Sequence, residues 1–414
     1  MKRRNGKQKS IKQSLVGLNA INFFQAETVG VILPVLSVFL KEHGWRYDSI
    51  GIATAIAGLG TLLVQTPAGI ATDKISSRRA LFAITSIVTG VCFAIIPGLP
   101  RSHVSVDAAL FIAGAAQSFF APLLGALALA LVGHELLNNT AGKNQGWNHA
   151  GNIAAAVAGM ALVRFLGVSS VFYAVGISSM LAAGSGLLIR ASDLDEHIAT
   201  GLLEKETAAV SWRELFRDKA VRALLVAIFL FHLANAPILP TTALYVKQLG
   251  GSDSLMTATV LTAQVVMVPV ALWAGRYGDR WGRKPVMAVA FWALPLRILS
   301  YTFVSNPRAV VWLQGLDGVG AGIYGVVVIA LAADLTKGKG RFNTLAGLFA
   351  TALAIGGVAG PLAGGLLVQH LGFKITFYVF AVLALIGAMV FASFVPETKA
   401  RTGAGNERGA GLAA

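Results

Sequence analysis

Charged residues and cysteine are both scarce in this sequence. Asp, Glu, Lys and Arg make up 13% of the 414 residues, whereas a soluble domain averages about 25%. So few charges cannot cover a water-facing surface of this size. Cys92 is the only cysteine, which excludes an intramolecular disulfide and a multi-cysteine metal site. The chain also lacks the phosphate-binding loop of nucleotide-driven pumps and the His-Glu-x-x-His zinc helix. We therefore expect neither an enzyme nor a bound cofactor or metal.

Apolar runs of about 20 residues recur along the chain, and each is long enough to cross a bilayer core of about 30 Å. Hydrophobic residues make up 55% of the sequence, and its 46 glycines suit membrane helices whose backbones approach closely. We predict an all-α membrane protein with twelve transmembrane helices. These are named spans 1 to 12 and lie at residues 13–40, 49–71, 80–99, 104–132, 141–163, 168–189, 222–246, 255–275, 285–304, 309–332, 342–368 and 373–394.

The positive charge of the chain is distributed unevenly between the two ends of the spans. The net charge is +15, from 34 basic and 19 acidic residues. With the N-terminus in the cytoplasm, about 26 of the basic residues fall on the cytoplasmic side and about 7 on the other, the signature of cytoplasmic loops. Because the bases are dispersed along membrane edges, we exclude a nucleic-acid partner. We predict a multi-pass protein of the inner (plasma) membrane with both termini in the cytoplasm, and a monomer.

The second half of the chain repeats the first at an offset of about 205 residues, which predicts two pseudo-symmetric six-helix bundles. The matched pairs are Leu33-Pro34 with Leu239-Pro240, Asp73 with Asp279, and Phe172-Tyr173 with Phe377-Tyr378. The predicted domains are an N-terminal bundle with a basic tail at 1–189, a cytoplasmic linker at 190–221, a C-terminal bundle at 222–395 and a cytoplasmic tail at 396–414.

Two short loops resemble a family signature. Residues 275–284 read Gly-Arg-Tyr-Gly-Asp-Arg-Trp-Gly-Arg-Lys between spans 8 and 9, and residues 69–79 are a weaker copy between spans 2 and 3. The pattern is similar to the signature loop of the major facilitator superfamily (MFS) of secondary transporters, with Tyr277 where leucine is usual. The resemblance implies the MFS fold, alternating access, and a substrate site between the two halves near the membrane midplane.

The resemblance also implies that these loops latch the halves in one conformational state. A carboxylate at a helix end can accept hydrogen bonds from a neighbouring helix N-terminus and from guanidinium groups, so the chemistry is reasonable. The alternative is that the loops only form tight turns with membrane-anchoring bases. The latch residues would be Gly69, Asp73, Arg78, Gly275, Asp279, Arg280, Gly282 and Arg283.

Span 11 contains a run of glycines around a proline. Residues 356–365 resemble a glycine–proline pattern that antiporters of the family carry in span 5, whereas span 5 of this chain has no proline at 151–160. The pattern therefore indicates either antiport or simply close helix packing at small residues.

Several ionisable residues lie inside predicted spans, where an isolated charge costs at least about 2.5 kcal/mol. Glu27 lies midway along span 1, and the resemblance implies that spans 1, 4, 7 and 10 line the cavity. Desolvation favours the neutral form of its carboxyl group, so Glu27 is the leading proton carrier, with a structural hydrogen bond as the alternative. Arg297 and Asp317 are predicted to pair, because each alone is expensive. Asp317 is also a candidate for coupling or substrate contact.

Span 5 is unusually polar in its first half. Asn144, Asn148 and Asn152 are four residues apart and form one stripe of a helix, with Gln145 and His149 beside them. Such groups avoid lipid, so they face either a substrate or another helix. His149 can also titrate near neutral pH, which makes it a further proton-coupling candidate. The other cavity candidates are Gln117, His232, Asn235, Gln264, Arg297 and Tyr324.

These features predict a secondary active transporter of the inner membrane. The favoured function is proton-coupled export of a small organic compound, so its expected partners are that substrate, protons and the lipid bilayer. The alternatives are an uptake symporter for an organic solute or anion, and a divalent-metal exporter that uses Glu27, His149, His232 and Asp317. A non-transporting receptor would instead predict a sealed cavity.

Overall fold

The computed structural model describes residues 2–30, 32–75, 77–99, 102–195, 216–335 and 342–398, and most of the predicted linker lies outside them. The described residues form fourteen α-helices and contain no strand. The helices are Lys2–Gly30, Ile32–Glu42, Tyr47–Lys74, Arg78–Ile95, His103–Gln117, Phe120–Leu166, Ser169–Ser185, Lys219–Asn235, Ile238–Gln248, Asp253–Trp281, Arg283–Ser300, Pro307–Leu313, Gly315–Leu335 and Phe342–Phe394.

The fourteen helices make up twelve spans. Spans 4, 7 and 10 each consist of two successive helices, and the described residues of span 1 lie in Lys2–Gly30 and Ile32–Glu42, on either side of residue 31. By contrast, Phe120–Leu166 and Phe342–Phe394 each continue from one span into the next. The chain reverses direction within these two long helices at Gly133 (φ 69°) and Gly372 (φ 79°), where glycine tolerates the left-handed backbone. The break in span 7 falls at Pro237, because proline lacks the backbone N–H that a helix interior needs.

Ten helical stretches of the described chain are long and apolar enough to cross a membrane. One of them, Leu345–Phe394, contains both span 11 and span 12. Span 1 is not among the ten; its described residues lie in Lys2–Gly30, which begins with a basic segment, and in Ile32–Glu42. The prediction of twelve spans is confirmed.

The two halves repeat the same packing. Span 1 contacts span 5, span 2 contacts span 4 and span 3 contacts span 6, and the equivalent pairs of the second half are 7 with 11, 8 with 10, and 9 with 12. Between the halves, span 2 packs against span 11, span 5 against span 8, and the second helix of span 1 against that of span 7. The predicted pair of pseudo-symmetric six-helix bundles is confirmed.

Glycines bring the equivalent helix pairs into backbone contact. A Cβ atom at Gly114 would lie 2.0 Å from the Ala57 carbonyl oxygen, between spans 4 and 2. At the equivalent place in the second half, a Cβ at Gly318 would lie 2.3 Å from the Ala263 oxygen, between spans 10 and 8. No larger residue fits at either position. Close packing at small residues therefore holds these pairs together.

The ends of the spans form two opposite faces of the molecule. The face that carries Ser14, the turn at Gly133 and the start of the helix Arg283–Ser300 is named the terminal face. The opposite face carries Glu42 and Lys247, at the ends of the second helices of spans 1 and 7, and is named the distal face.

Candidate functional site

A cavity of about 750 Å³ lies between the halves, toward the terminal face. Its lining residues in span 4 include Gly125 and Ala128, which are within about two helical turns of the Gly133 turn. This space is named the wide cavity. Deeper in the molecule, a second space of about 470 Å³ is lined by spans 1, 2, 3, 4, 7 and 11 and is named the deep cavity. Thr61 and Gln117 line both, so the two spaces adjoin.

Side-chain amides dominate the polar lining of the wide cavity and are named together the amide wall. Its members are Asn22, Gln25, Gln117, Asn144, Gln145, Asn148, Asn152 and Gln264. Seven of these come from spans 1, 4 and 5 of the first half, and only Gln264 comes from the second. The polar face predicted for span 5 therefore does line a cavity.

The span 5 amides also bond to one another and to span 1. Asn152 Nδ2 donates to the carbonyl oxygen and to Oδ1 of Asn148, at 3.1 Å each, and Asn148 Nδ2 donates to the Asn22 carbonyl oxygen at 3.5 Å. Gly151 permits this approach, since a Cβ there would lie 2.1 Å from the Phe23 carbonyl oxygen. The stripe therefore lines a cavity and bonds to a neighbouring helix, and its contact with a substrate stays a prediction.

One amide oxygen of the wall, Asn144 Oδ1, is buried without a hydrogen-bond partner in the described part of the chain, on a residue with 8% exposure. His149 interacts with Gln264 across the contact between spans 5 and 8. The Asn144 oxygen is desolvated without compensation by the described residues, which favours a polar ligand or water beside it.

Three polar lining residues, Asn22, Gln25 and Thr61, were not predicted from the sequence. Asn22 is 6% exposed and its Nδ2 donates to the Leu18 carbonyl oxygen at 2.9 Å. The usable signal is a pair of amides three residues apart in an otherwise apolar run, which share a helix face.

The predicted pairing of Arg297 with Asp317 is confirmed. The two side chains form a salt bridge between spans 9 and 10, and Arg297 also donates to Asn235 Oδ1 in span 7. Arg297 is 1% exposed, so this cluster lies inside the second half. Arg297, Asp317 and Asn235 are not among the described residues that line the wide or deep cavity.

His232 and Tyr324 form a separate contact in the second half. Their rings meet edge-to-face with centroids 4.8 Å apart, and Phe231 stacks on Tyr324 at 5.6 Å. His232 Nε2 has no hydrogen-bond partner in the described part of the structure. Neither residue lines the wide or the deep cavity.

The distal face is closed by contacts between the halves, named the distal seal. Lys247 of span 7 pairs with Glu42 of span 1 at 2.8 Å and also with Asp253, at the start of span 8. The backbone N–H of Tyr47 donates to Gln369 Oε1 at 2.9 Å. Beneath these contacts the residual space between the halves is only about 20 Å³.

The backbones of spans 2 and 11 touch within the distal seal. A Cβ at Gly51 would lie 2.6 Å from the Pro361 carbonyl oxygen, and one at Gly365 would lie 2.5 Å from the Tyr47 oxygen. On its other side, span 11 packs against span 7, where a Cβ at Gly360 would lie 2.6 Å from a backbone oxygen. The glycine–proline run of span 11 therefore serves close packing on two sides.

A hydrogen-bonded group at the terminal face joins the second signature loop to the chain after span 12. Glu397 accepts from the backbone N–H groups of Arg283 and Lys284 at 2.9 and 3.1 Å, which caps the N-terminus of the helix Arg283–Ser300. Asp334 accepts from Arg283 Nε at 3.3 Å and from the Thr398 hydroxyl at 3.0 Å. The turn itself needs Gly282, whose φ is 109°.

The first signature loop is built differently. Arg78 is 3% exposed and its Nε donates to the Thr72 carbonyl oxygen at 3.1 Å. No heavy atom lies within 4 Å of a Cβ placed on Gly69, and a Cβ on Gly275 would lie 3.9 Å from Val326. Arg280 is exposed. The side chains of three predicted residues, Glu27, Asp73 and Asp279, lie outside the described part of the chain.

The described residues contain no group of three or more His, Cys, Asp or Glu side chains arranged to hold a metal ion. Of the four residues considered for metal export, Asp317 pairs with Arg297, His232 contacts Tyr324 and His149 interacts with Gln264. The metal-export alternative gains no support from these contacts.

Comparison with known proteins identifies the family. The model of the Major Facilitator Superfamily matches residues 16–291 and again 236–413. The chain belongs to the Major Facilitator Superfamily. It is therefore a multi-pass membrane transporter and not an enzyme, and its two halves correspond to the two bundles of that superfamily.

Curated MFS relatives align along most of the chain. An uncharacterized MFS-type transporter of Mycobacterium tuberculosis (strain H37Rv) is 33% identical over 390 residues, which cover 92% of this chain and 93% of that protein. The multi-drug resistance efflux pump PmrA of Streptococcus pneumoniae (strain R6) is 24% identical over 372 residues, covering 86% and 90%.

Solved MFS structures share the fold. The nucleoside transporter NupG aligns with a TM-score of 0.72 at 16% identity, over 93% of this chain and 98% of that one. The D-xylose-proton symporter aligns with a TM-score of 0.71 at 15% identity, over 94% and 98%. At such identities the likeness concerns the fold alone.

Proposed function

We propose that this transporter exports a small organic compound across the inner membrane in exchange for protons. The observation that carries the proposal is the wide cavity between the halves, polar on one wall, with the distal seal closing its other end. The excess of basic residues assigns the terminal face to the cytoplasm. A substrate then enters the wide cavity from the cytoplasm and leaves through the distal face after the seal opens.

The relatives support export more than uptake. PmrA is described as an efflux pump, and it aligns with this chain along most of its length. In an exporter, the conformation with the closed distal seal is the one that loads substrate, and a polar cavity that faces the cytoplasm suits loading. Alternating access then requires that the seal breaks while the terminal face closes.

Three residues are proposed to carry or relay the proton. Glu27 is the first, because it belongs to span 1 and directly follows Ala26, which lines the wide cavity. Asp317 is the second, since protonation of its carboxylate breaks the attraction to Arg297 between spans 9 and 10. His149 is the third, because it meets Gln264 where the two halves touch.

The signature loops are proposed to stabilise one state of each half. Glu397 and Asp334 fix Arg283 at the terminal face, so movement of the helix Arg283–Ser300 must break or carry along these contacts. The carboxylates of Asp73 and Asp279 are proposed to act in the same way at the two loops. A carboxylate close to a helix N-terminus gains typically 0.3–1 kcal/mol, enough to bias two states of similar energy.

Proton movement in proteoliposomes tests the proposal whichever compound is the substrate. An impermeant pH dye inside the vesicles reports proton flux while small organic compounds of each charge type are added in turn. We expect at least one compound to drive proton flux with the wild type and not with Glu27→Gln, which mimics the protonated carboxyl group. Proton flux in the direction of the substrate would indicate uptake by symport.

The Glu27→Gln variant also needs a binding control. Its affinity for the active compound should persist and lose its pH dependence, since the variant cannot titrate. Full proton-driven flux in Glu27→Gln refutes the role of Glu27 and transfers the test to Asp317→Asn and His149→Gln. Substrate flux without any proton movement refutes proton coupling itself.

A further inference from the structure

The lining of the transport path carries no formal charge among its described side chains. Neither the wide nor the deep cavity is lined by a described Asp, Glu, Lys, Arg or His residue. Arg297 and Asp317 of the second half form a salt bridge with each other, and neither residue lines the wide or the deep cavity. A charged ligand would lose its hydration without gaining a countercharge from these described side chains, which disfavours binding. Glu27, the proposed proton carrier, offers no countercharge in its protonated form.

The amide wall offers the opposite chemistry. A side-chain amide carries N–H donors and an acceptor oxygen, so this wall can bind neutral polar groups of either kind. The oxygen of Asn144 is buried without a partner in the described chain, and it needs an N–H or O–H donor. A neutral molecule that supplies such a donor compensates for the desolvation of this atom.

The deep cavity is mostly apolar. Its lining includes Ile32, Leu33, Phe93, Leu110 and Leu353, and the polar exceptions are Thr54, Thr61, Gln65 and Gln117. Its volume of about 470 Å³ lies within the range of about 300–1,000 Å³ for sites of small organic molecules. Because the two cavities adjoin, one molecule can contact the amide wall with one end and the apolar lining with the other.

We propose that the substrate is an uncharged amphiphilic molecule, whose hydrogen-bonding end binds the amide wall of the first half and whose apolar body occupies the deep cavity. This inference rests on the proposed transport function and adds the substrate class. It excludes lipophilic cations and organic anions as the preferred cargo. It also assigns polar recognition mainly to the first half, because seven of the eight amides belong to it.

Three compounds with one carbon skeleton test the charge preference. Phenylbutanamide is neutral, phenylbutanoate is an anion and phenylbutylammonium is a cation at about pH 7. Binding to the full-length protein in lipid nanodiscs is measured by isothermal titration, and empty nanodiscs correct for partition into lipid. We expect the amide to bind at least about tenfold more tightly than either ion. Equal or tighter binding of an ion, or no binding of the amide, overturns the proposal.

Placing one carboxylate in the amide wall should reverse the preference. Asn144→Asp should weaken the amide and strengthen the cation by about tenfold each. Gln145→Glu, at an exposed position of the same wall, repeats the test if Asn144→Asp does not fold. Asn306→Asp is the matched control, because its side-chain oxygen caps a helix at the distal face and the cap is retained. An unchanged order of affinities in both wall variants contradicts the assigned site.

Failure of this proposal is distinguishable from failure of the transport function. If phenylbutanamide binds in the expected order but crosses the membrane of proteoliposomes without proton movement, only proton coupling is refuted. If protons move with a charged compound and the amide does not bind, only the substrate class is refuted.

Discussion

Enlarging Gly51 should open the distal face. A Cβ at this position would lie 2.6 Å from the Pro361 carbonyl oxygen and 2.9 Å from Gly365 Cα. Because the optimal separation of non-bonded carbon atoms is about 3.5–4.0 Å, Gly51→Ala must push spans 2 and 11 apart by about 1 Å. Such overpacking typically costs about 1–3 kcal/mol. The penalty applies only while the seal is closed, so the ratio of open to closed molecules should rise about 5- to 150-fold.

Thiol labelling beneath the seal measures this shift. Thr241 is 5% exposed and lines the residual space of about 20 Å³ under the distal seal. A cysteine at Thr241, in a background where Cys92 is replaced by alanine, should react with an impermeant reagent applied only from the distal side when, and only when, the seal opens. Its labelling rate should therefore rise in Gly51→Ala by the same factor as the population of open molecules.

A glycine in the same interface region provides the control. No heavy atom lies within 4 Å of a Cβ placed on Gly357, so Gly357→Ala adds a methyl group to open space in span 11. This variant should label at the wild-type rate. If Gly51→Ala remains folded and monodisperse but also labels at the wild-type rate, close packing of spans 2 and 11 does not hold the distal face closed.

Three further changes test other contacts. Glu42→Gln removes the ion pair with Lys247 between the halves, which at its partial exposure is worth about 0.2–1 kcal/mol. The rate of thiol labelling beneath the seal should therefore rise up to about fivefold. An unchanged rate would show that this ion pair does not hold the seal closed. Asp317→Leu should destabilise the protein by about 3–5 kcal/mol in thermal unfolding, because Arg297 is left buried without its partner. Adding Arg297→Leu should restore part of this stability. A further loss of stability in the double variant would show that the unpaired Arg297 is not the cause of the first loss. Glu397→Ala removes a helix cap worth about 1 kcal/mol, so the Arg283 amide should exchange hydrogen about fivefold faster, whereas unaltered protection would show that Glu397 is not the cap.

The layout of the membrane spans is largely contained in local sequence. Twelve apolar runs predict twelve spans, because the thickness of the bilayer sets the length of a membrane helix. The matched positions of the two halves predict two equivalent bundles. The break of span 7 at Pro237 is also local, because proline lacks the N–H that a helix interior needs. Even the pairing of Arg297 with Asp317 could be inferred, since both are expensive alone.

The site was less accessible, since it depends on how helices rotate against each other. The amides of span 5 could be found from their spacing, whereas Asn22 and Gln25 became part of the same wall only through the packing of span 1 on span 5. Span periodicity also gave no indication that Asn235 would bond Arg297 inside the second half and stay out of the cavity linings.

Contacts between loop and helix-end residues that are far apart in the sequence could not be inferred from it. Glu42 and Lys247 meet only because two bundles close at the distal face. Glu397 belongs to a short segment after span 12, and its function as the cap of the helix Arg283–Ser300 depends on the fold of the whole second half.

Paired distance measurements test alternating access most directly. Spin labels at His43 and Lys374 report on the distal face, and labels at Lys143 and Arg276 report on the terminal face; all four positions are exposed. Pulsed electron spin resonance on the Cys92→Ala protein in nanodiscs compares the two distances at about pH 5 and about pH 8. Proton-coupled alternating access predicts a second population with a longer distal distance and a shorter terminal distance, in proportions that change with pH. Two distances that stay fixed, or that lengthen and shorten together, would contradict it.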